Sequence, residues 1–374
     1  MKTIAQILPS LKQGGVETGT IEIAAALQKA KIPNIVISSG GPMVAQLERL
    51  GVPHITLPVQ SKNPIKMWLN AKKIAKVCAE HNVGLMHVRS RAPAWSVKWA
   101  SKATGIPYMA SYHGVYGIKP AIKKIYNSAM LGGVLTIAVS DFVKQHLLDV
   151  YHYPESKVRV IHRGADLNRF NPDKITQKQL DEFVAKNQIP WDKPIITLVG
   201  RLSKIKGQLE LIQALKKMKN KDVTCLLVGG GATPEYQQEL NAMIATLPES
   251  TNLKIISVPG NEMPIVYALS DVVVSARITP EAFGRTVSEA NAMKKIVVSF
   301  NHGGPTETII NGKTGFLTPV GDILALAKAL DKVLDMSAAD KRKMEQAAFK
   351  HATTNFSIQK MCDKTLSVYK EILK

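Results

Sequence analysis

Cysteine is scarce in this chain. Cys78, Cys225 and Cys362 are the only three in 374 residues, and no two stand in a C-x-x-C spacing. That excludes a disulfide scaffold and leaves the expectation of three buried thiols in a reducing compartment. Long hydrophobic runs are missing too. The most apolar stretch, residues 129–139, contains Gly132 and Gly133 and is far shorter than the roughly 20 apolar residues a bilayer span needs. The opening segment MKTIAQILPSLKQGG is interrupted by Gln6 and Pro9, so it reads as a first strand and not as a signal peptide. A cytoplasmic location is expected. Aromatic residues make up only 6% of the chain, and no basic stripe carries interleaved aromatics, so no nucleic-acid partner is expected. Several signatures are absent as well. There is no G-x-G-x-x-G leading a helix, no P-loop ending in Gly-Lys-Ser/Thr, no Gly-x-Ser-x-Gly elbow and no zinc spacing, which argues against NAD, an ATPase, a serine hydrolase and a bound metal.

What is present is an ordinary globular composition, 45% apolar and 21% charged, in a chain long enough for two domains. Acidic residues are in deficit: 49 Lys and Arg against 29 Asp and Glu leave a formal +20. Residues 1–170 hold 22 basic and 8 acidic side chains, residues 171–374 hold 27 and 21. A basic half attracts nucleic acid, an anionic membrane face or an acidic substrate, and composition leaves all three open.

Along the chain, strand, loop and helix repeat. Strand candidates are residues 3–8, 32–38, 83–88, 107–112, 134–139 and 157–161, with helical stretches at 17–29, 64–81 and 140–151. Residues 171–193 are polar, with Pro172 and Pro190 near their ends, and read as a connection. The alternation resumes at Pro194 with strands at 195–199, 223–228, 253–258, 271–275 and 296–300, and the tail is helical. Such alternation implies α/β domains with parallel sheets covered on both faces, here two doubly wound Rossmann-like domains in tandem. In such sheets ligands sit beyond the carboxyl ends of the strands.

The loops at those ends carry the candidate chemistry. Gly14-Gly15 precedes a helix, where a bare backbone admits a ligand, although Gly-Gly is also common loop punctuation. Gly200-Arg201-Leu202-Ser203-Lys204-Ile205-Lys206-Gly207 pairs a guanidinium with an ammonium, a combination suited to a diphosphate. Gly229-Gly230-Gly231 follows another strand and can lie against a nucleotide or serve as a plain turn. In Pro280-Glu281-Ala282-Phe283-Gly284-Arg285-Thr286-Val287-Ser288-Glu289, two carboxylates, Glu281 and Glu289, can accept hydrogen bonds from sugar hydroxyls. His302-Gly303-Gly304-Pro305 leads into a further helix. In the first half, His113 follows a strand and could contact a substrate hydroxyl, although a lone histidine is more often structural, while Arg89 and Arg91 offer either a solvated turn or an anionic acceptor site. Lys66, Lys72, Lys73, Lys76, Lys119, Lys123 and Lys124 read as solvated helix faces, with a membrane-facing patch as the sharper alternative.

Together these motifs resemble the group 1 glycosyltransferases, the retaining family 4 with the two-domain GT-B fold, over nearly the whole chain. The resemblance also draws on His113-Gly114, Val139-Ser140, Arg163-Gly164-Ala165-Asp166 with Phe170, and Gly303-Gly304-Pro305 through Glu307. It implies an N-terminal acceptor-side domain over 1–170, a linker over 171–193, a nucleotide-sugar domain over 194–354, and a last helix, 355–374, crossing back onto the first domain, the two domains facing across a cleft. It implies that Arg201 and Lys206 hold the donor diphosphate and neutralise the leaving group, that Glu289 binds the ribose, and that Glu281 faces the donor sugar. Ala282, Phe283 and Gly284 would steady sugar and phosphate through their backbone, Gly15 would approach the phosphate, His113 the sugar, and 258–260 the nucleobase. Arg89 and Arg91 would serve the acceptor. The segment from Arg89 to Trp95 resembles a bacterial subgroup linked to lipopolysaccharide and related envelope glycans. Arg163 stands where the family often has Asn, Lys294 and Lys295 where Gly and a small or basic residue are usual, and Asn261-Glu262 where Asp is common.

The expectation is therefore a metal-independent retaining glycosyltransferase with no cofactor. It would take a UDP- or GDP-linked sugar to a glycolipid or glycan acceptor, and could sit at the anionic inner face of the membrane. The alternatives are a basic nucleic-acid-binding protein and a nucleotide-sugar epimerase on the same fold.

Overall fold

A computed structural model describes residues 2–12 and 14–374, so Gln13 of the first glycine loop lies outside the described residues. The chain divides into two units, residues 1–162 with 359–374, and residues 163–358.

The first unit contains strands β1 (Thr3–Ile7), β2 (Asn34–Ser38), β3 (His54–Thr56), β4 (Val83–Val88), β5 (Tyr108–Tyr112), β6 (Leu135–Ala138) and β7 (Val158–Val160). Its helices are α1 (Gly15–Lys29), α2 (Val44–Arg49), α3 (Pro64–Glu80), α4 (Arg91–Thr104), α5 (Ile122–Ser128) and α6 (Asp141–Tyr151). The second unit contains α7 (Gln177–Asn187), β8 (Ile195–Val199), α8 (Gln208–Lys217), β9 (Thr224–Val228), α9 (Pro234–Ile244), β10 (Asn252–Ile256), α10 (Met263–Leu269), β11 (Val272–Ser275), α11 (Arg285–Ala292), β12 (Ile296–Phe300), α12 (Pro305–Thr308), β13 (Gly315–Thr318), α13 (Ile323–Leu334) and α14 (Ala338–Asn355). The last helix, α15 (Ile358–Leu373), belongs to the first unit from Gln359 onward.

Every strand pairing is parallel. The first sheet runs β3-β2-β1-β4-β5-β6-β7 and the second β10-β9-β8-β11-β12-β13. β1, β2, β5, β9 and β12 are buried along their whole length, as parallel strands covered on both faces must be. Strand order reverses between β1 and β4 in one sheet and between β8 and β11 in the other. Such reversals open a crevice at the carboxyl ends of the strands.

Three sequence expectations change. Residues 171–193 are not a free connection. Thr176 and Gln179 form a capping box that starts α7, Phe183 is buried with Leu226 and Val266, and Phe170 packs on Tyr267 with ring centroids 5.8 Å apart. The unit boundary accordingly falls at 162/163 instead of 170, and the return at 358/359 instead of 354/355. Residues 91–104, which carry no clear helical signature, form α4. Pro93 lies in its first turn, where a missing N–H is no loss, and Ala94, Val97 and Ala100 face the core. The three cysteines are free and buried.

Candidate functional site

The second unit assembles its site at the β8/β11 reversal. After β8 the chain enters Gly200–Gly207, whose backbone is pinned on several sides. Gly200 N–H donates to Val228 O at 2.9 Å, and Leu202 N–H to Gly230 O at 3.1 Å. The Arg201 carbonyl accepts from Gln208 Nε2 at 3.1 Å, and Gln208 Oε1 accepts in turn from the buried Tyr236 hydroxyl at 2.9 Å. Gly207 has φ +81°, and a Cβ there would lie 1.8 Å from Ala276 O, so only glycine fits between this loop and the end of β11. Arg201 is exposed and has no carboxylate partner among the described residues. Lys206 turns toward the neighbouring loop.

That neighbouring loop follows β11. Its Glu281 Oε1 accepts from Lys206 Nζ at 3.3 Å and from Arg277 Nη1 at 3.3 Å, and all three side chains are about one-fifth exposed. Arg277 is fixed by its own Nε donating to Thr279 Oγ1 at 3.1 Å. His302, at the end of β12, donates from Nε2 to the Arg277 carbonyl at 2.6 Å, and Gly304 N–H donates to Glu281 O at 2.7 Å. Gly303 and Gly304 permit this approach: a Cβ on either would come within 2.4 Å of backbone, at Glu281 O and Phe283 Cα respectively. The β11 loop is thus clamped between the β8 and β12 loops. The carboxylate lies between two cations, which hold it oriented.

Glu289 lies in α11 and is held separately. Tyr267 OH donates to its Oε2 at 3.1 Å, and Arg285 Nη2 lies 3.4 Å from its Oε1. Tyr267 is fully buried; burial and the adjacent Glu289 charge raise its phenol pKa, so it stays a donor. Of the backbone trio 282–284, Phe283 is a core side chain packed on Phe356 at 5.7 Å, and Gly284 takes φ +87° as the residue before α11.

In the first unit, Gly15 is the first residue of α1, and a Cβ on it would meet nothing within 4 Å. His113 is half-buried just after β5. The two arginines expected at an acceptor site behave otherwise. Arg89 is 3% exposed, hydrogen-bonded to Tyr369 of α15, and burial lowers its pKa. Next to it the buried His87 hydrogen-bonds Tyr369 OH at 2.5 Å and Ser111 Oγ at 2.8 Å; burial, with the Arg89 charge, pushes its pKa well below the usual value. Arg89 therefore anchors the returning helix and is not open to an acceptor. Arg91 opens α4 instead of a solvated turn. Its guanidinium lies 4.0 Å over the Tyr116 ring and donates to Asn127 Oδ1 at 3.2 Å, fastening the segment after β5.

The structure thus brings together Lys206 and Glu281, with Arg201 exposed on the same β8 loop as Lys206. It places Glu289 on its own partners, and Gly15 and His113 in the other unit. Sequence reasoning missed Arg277, Tyr267, and the Gln208–Tyr236 brace. Arg277 had a usable signal, since it follows the strand that flanks the reversal by two residues.

Residues 180–351 match the family Glycosyl transferases group 1, and residues 13–169 match Glycosyltransferase Family 4. A crystal structure of a glycosyltransferase from Rickettsia africae ESF-5 aligns over 100% of this chain and 99% of its own, at 41% identity and a TM-score of 0.93. Spore coat protein SA of Bacillus subtilis (strain 168) is 25% identical over 375 residues, which is 97% of this chain and 96% of that protein. An Anabaena protein solved in complex with UDP and glucose shares the fold, with a TM-score of 0.85 at 22% identity over 99% of this chain and 100% of that one.

Proposed function

This chain belongs to the group 1, family 4 glycosyltransferases, and from that premise we propose that it is a retaining enzyme that moves a sugar from a nucleotide-sugar donor to a membrane-associated or lipopolysaccharide-core type acceptor. The observation that carries the donor half is the meeting of Lys206, Arg277 and Glu281 at the β8/β11 reversal, with the unpartnered Arg201 on the same loop as Lys206. A diphosphate leaving group needs cations at that edge, and a sugar needs an oriented carboxylate. Named relatives agree in donor type. The Anabaena protein was solved with UDP-glucose, and a 27% identical Mycolicibacterium smegmatis protein is a GDP-mannose-dependent mannosyltransferase.

In the reaction the bond between the anomeric carbon and the diphosphate oxygen breaks, and the acceptor hydroxyl oxygen bonds to that carbon on the same face. The hydroxyl proton passes to the departing phosphate oxygen. Arg201 and Lys206 stabilise the negative charge growing on the diphosphate, which is electrostatic catalysis by preplaced cations and calls for no metal. Glu281, held by Arg277, accepts hydrogen bonds from the donor sugar. Glu289, held by Tyr267, accepts from the ribose hydroxyls. Gly15 is read as serving the donor phosphate and His113 the donor sugar.

A thermal-shift panel of UDP, GDP and ADP, run with and without chelator, tests this. A ligand that binds only the folded state raises the melting temperature. The expected result is a shift with UDP or GDP that survives chelator and disappears in Arg201→Ala and Lys206→Ala. No shift with any diphosphate, beside tight salt-sensitive RNA binding, would favour the nucleic-acid alternative.

A further inference from the structure

The second sheet ends at β13, and the chain closes that edge with a turn of its own. Asn311 Oδ1 accepts from Leu317 N–H at 2.9 Å, taking a donor that an added strand would need. Gly312, at φ +74°, reverses the chain and donates its N–H to Gly315 O at 2.8 Å. Ile310 O accepts from the N–H groups of Lys313 and Thr314, both at 2.9 Å. The turn is therefore fixed, and it presents Lys313 at an exposed tip.

Beside this turn, the start of β13, the end of α13 and the first turns of α14 enclose a groove of about 540 Å³. That is the size of a small-molecule site. The floor is apolar: Phe316 and Met344 are each 8% exposed, with the half-buried Met336 and Ala347 next to them. The rim is basic. Lys313 comes from the turn, Lys332 from α13 and Lys343 from α14, and all three are exposed. None of them has a carboxylate partner among the described residues. Lys332 Nζ instead lies 4.8 Å over the Phe316 ring. The one acid of the groove, Asp340, is engaged at the start of its own helix, where its Oδ2 accepts from Ser337 Oγ at 2.7 Å. Three like charges thus surround an apolar floor without a counter-charge, and an anion relieves their repulsion.

We propose that this groove is a second ligand site, built for a small aromatic anion: a compact ring system carrying a carboxylate, sulfonate or phosphate. The ring lies on the thioethers of Met336 and Met344, which are flexible, polarizable and favourable against aromatic faces. The Lys332 ammonium adds a cation–π contact. The acidic group meets Lys313 and Lys343. Charge complementarity selects an anion, and the Phe and Met floor selects a ring over a bare phosphate or a sugar phosphate, whose hydroxyls would find no partner there. The site is apart from the β8/β11 reversal. β13 runs parallel to β12, so the residues that open β13 lie at the amino end of the sheet, while the donor loops follow the carboxyl ends of β8, β11 and β12. A ligand in the groove and a nucleotide at the reversal can be held together. The inference goes beyond the transferase reading and does not depend on it.

The test titrates the full chain with anilinonaphthalene sulfonate, read by its fluorescence, and displaces the dye with naphthoate or with the neutral naphthylmethanol. The expected result is saturable binding at one site that naphthoate displaces and naphthylmethanol displaces about tenfold less well. Lys313→Ala and Lys343→Ala should each weaken binding about threefold. Ala347→Trp, which fills the groove from α14, should remove it. Lys328→Ala, an exposed α13 lysine outside the groove, should leave it unchanged, as should saturating UDP. Melting temperatures check that the variants are folded, and the two lysine variants keep the test open should Ala347→Trp fail to fold. Four results would overturn the proposal: no saturable binding, equal displacement by the neutral alcohol, full binding by both lysine variants, or competition by UDP, which would place the dye at the nucleotide loops.

Discussion

Both sheets reverse their strand order, and at each reversal the strand beyond it is followed closely by an arginine. After β11 comes Arg277, about one-fifth exposed, with its guanidinium on Glu281 and its carbonyl held by His302. After β4 comes Arg89, 3% exposed, roofed by α15 and bonded to Tyr369. The topological address is the same and the chemistry opposite. In one unit the cation faces a loop that can receive a ligand. In the other a helix arriving from the far end of the chain covers it and turns it into an anchor. The charge balance differs in the same way. The first unit holds 24 basic and 9 acidic side chains, and the second 25 and 20. The second pairs Lys206 and Arg277 with a carboxylate at the site, whereas the first leaves lysines bare on its outer helices.

The sharpest way to break this contrast is to remove the cations of the second unit. Lys206→Ala and Arg201→Ala should each lower kcat by about a hundredfold to a thousandfold, the range for losing one preplaced donor to developing charge. Arg91→Ala in the first unit should leave nucleotide binding by the thermal-shift assay unchanged. If Arg91→Ala abolished the shift as well, the division of labour would be wrong.

Glycine substitutions separate packing from ligand approach. Gly207→Ala forces a Cβ against Ala276 O at a positive φ and should destabilise by about 3 kcal/mol or more in denaturant melts. Gly15→Ala has open space and should change stability by less than about 1 kcal/mol. Because Gly15 is read as approaching the donor phosphate, its variant should nevertheless raise the donor KM.

Arg277→Ala should reduce kcat by about tenfold, with Arg277→Lys recovering part of it, because the loss is of orientation at Glu281. Equal losses in both variants with an unchanged nucleotide shift would instead mean that the guanidinium touches the donor itself.

The smallest effect concerns acid. His87 is buried beside Arg89 and holds its pKa well below the usual value, so the unfolded chain takes up a proton there that the folded chain does not. Its contribution is intact above the unfolded value near 6.5 and is lost as pH falls below it toward the folded value, by up to about 1.4 kcal/mol per pH unit. His87→Gln should flatten the fall in melting temperature between pH 7 and pH 5.5, read as stability in buffered thermal melts.

Much of the second unit was legible in the residues. β8, β9, β11 and β12 match the apolar runs closely, and the glycine loops sit where strand ends require close backbone approach. Less of the first unit was legible. β3 is three residues long and α2 six, too short for periodicity to register. α4 carries Pro93 in its first turn and two tryptophans at helical spacing, and its buried face and the Ser96 bond to Met67 of α3 show it as a helix. The acceptor reading of Arg89 failed because sequence proximity to a strand end says nothing about what covers it. The linker reading of 171–193 failed because Phe170 and Phe183 find their partners some 40 to 100 residues away.

Local chemistry decided where strands end, which loops need glycine, and which cationic and acidic residue types stand at those loops. Those outcomes depend on neighbours within a few positions. The exposure of each charged group was decided only when distant segments packed. Tyr369, from the last helix, buries His87 and Arg89, while Lys206 and Arg277 converge on Glu281 from two different loops. A charge becomes an anchor or a binding group according to the solvent left around it, and that is a property of the assembled sheet and its covering helices.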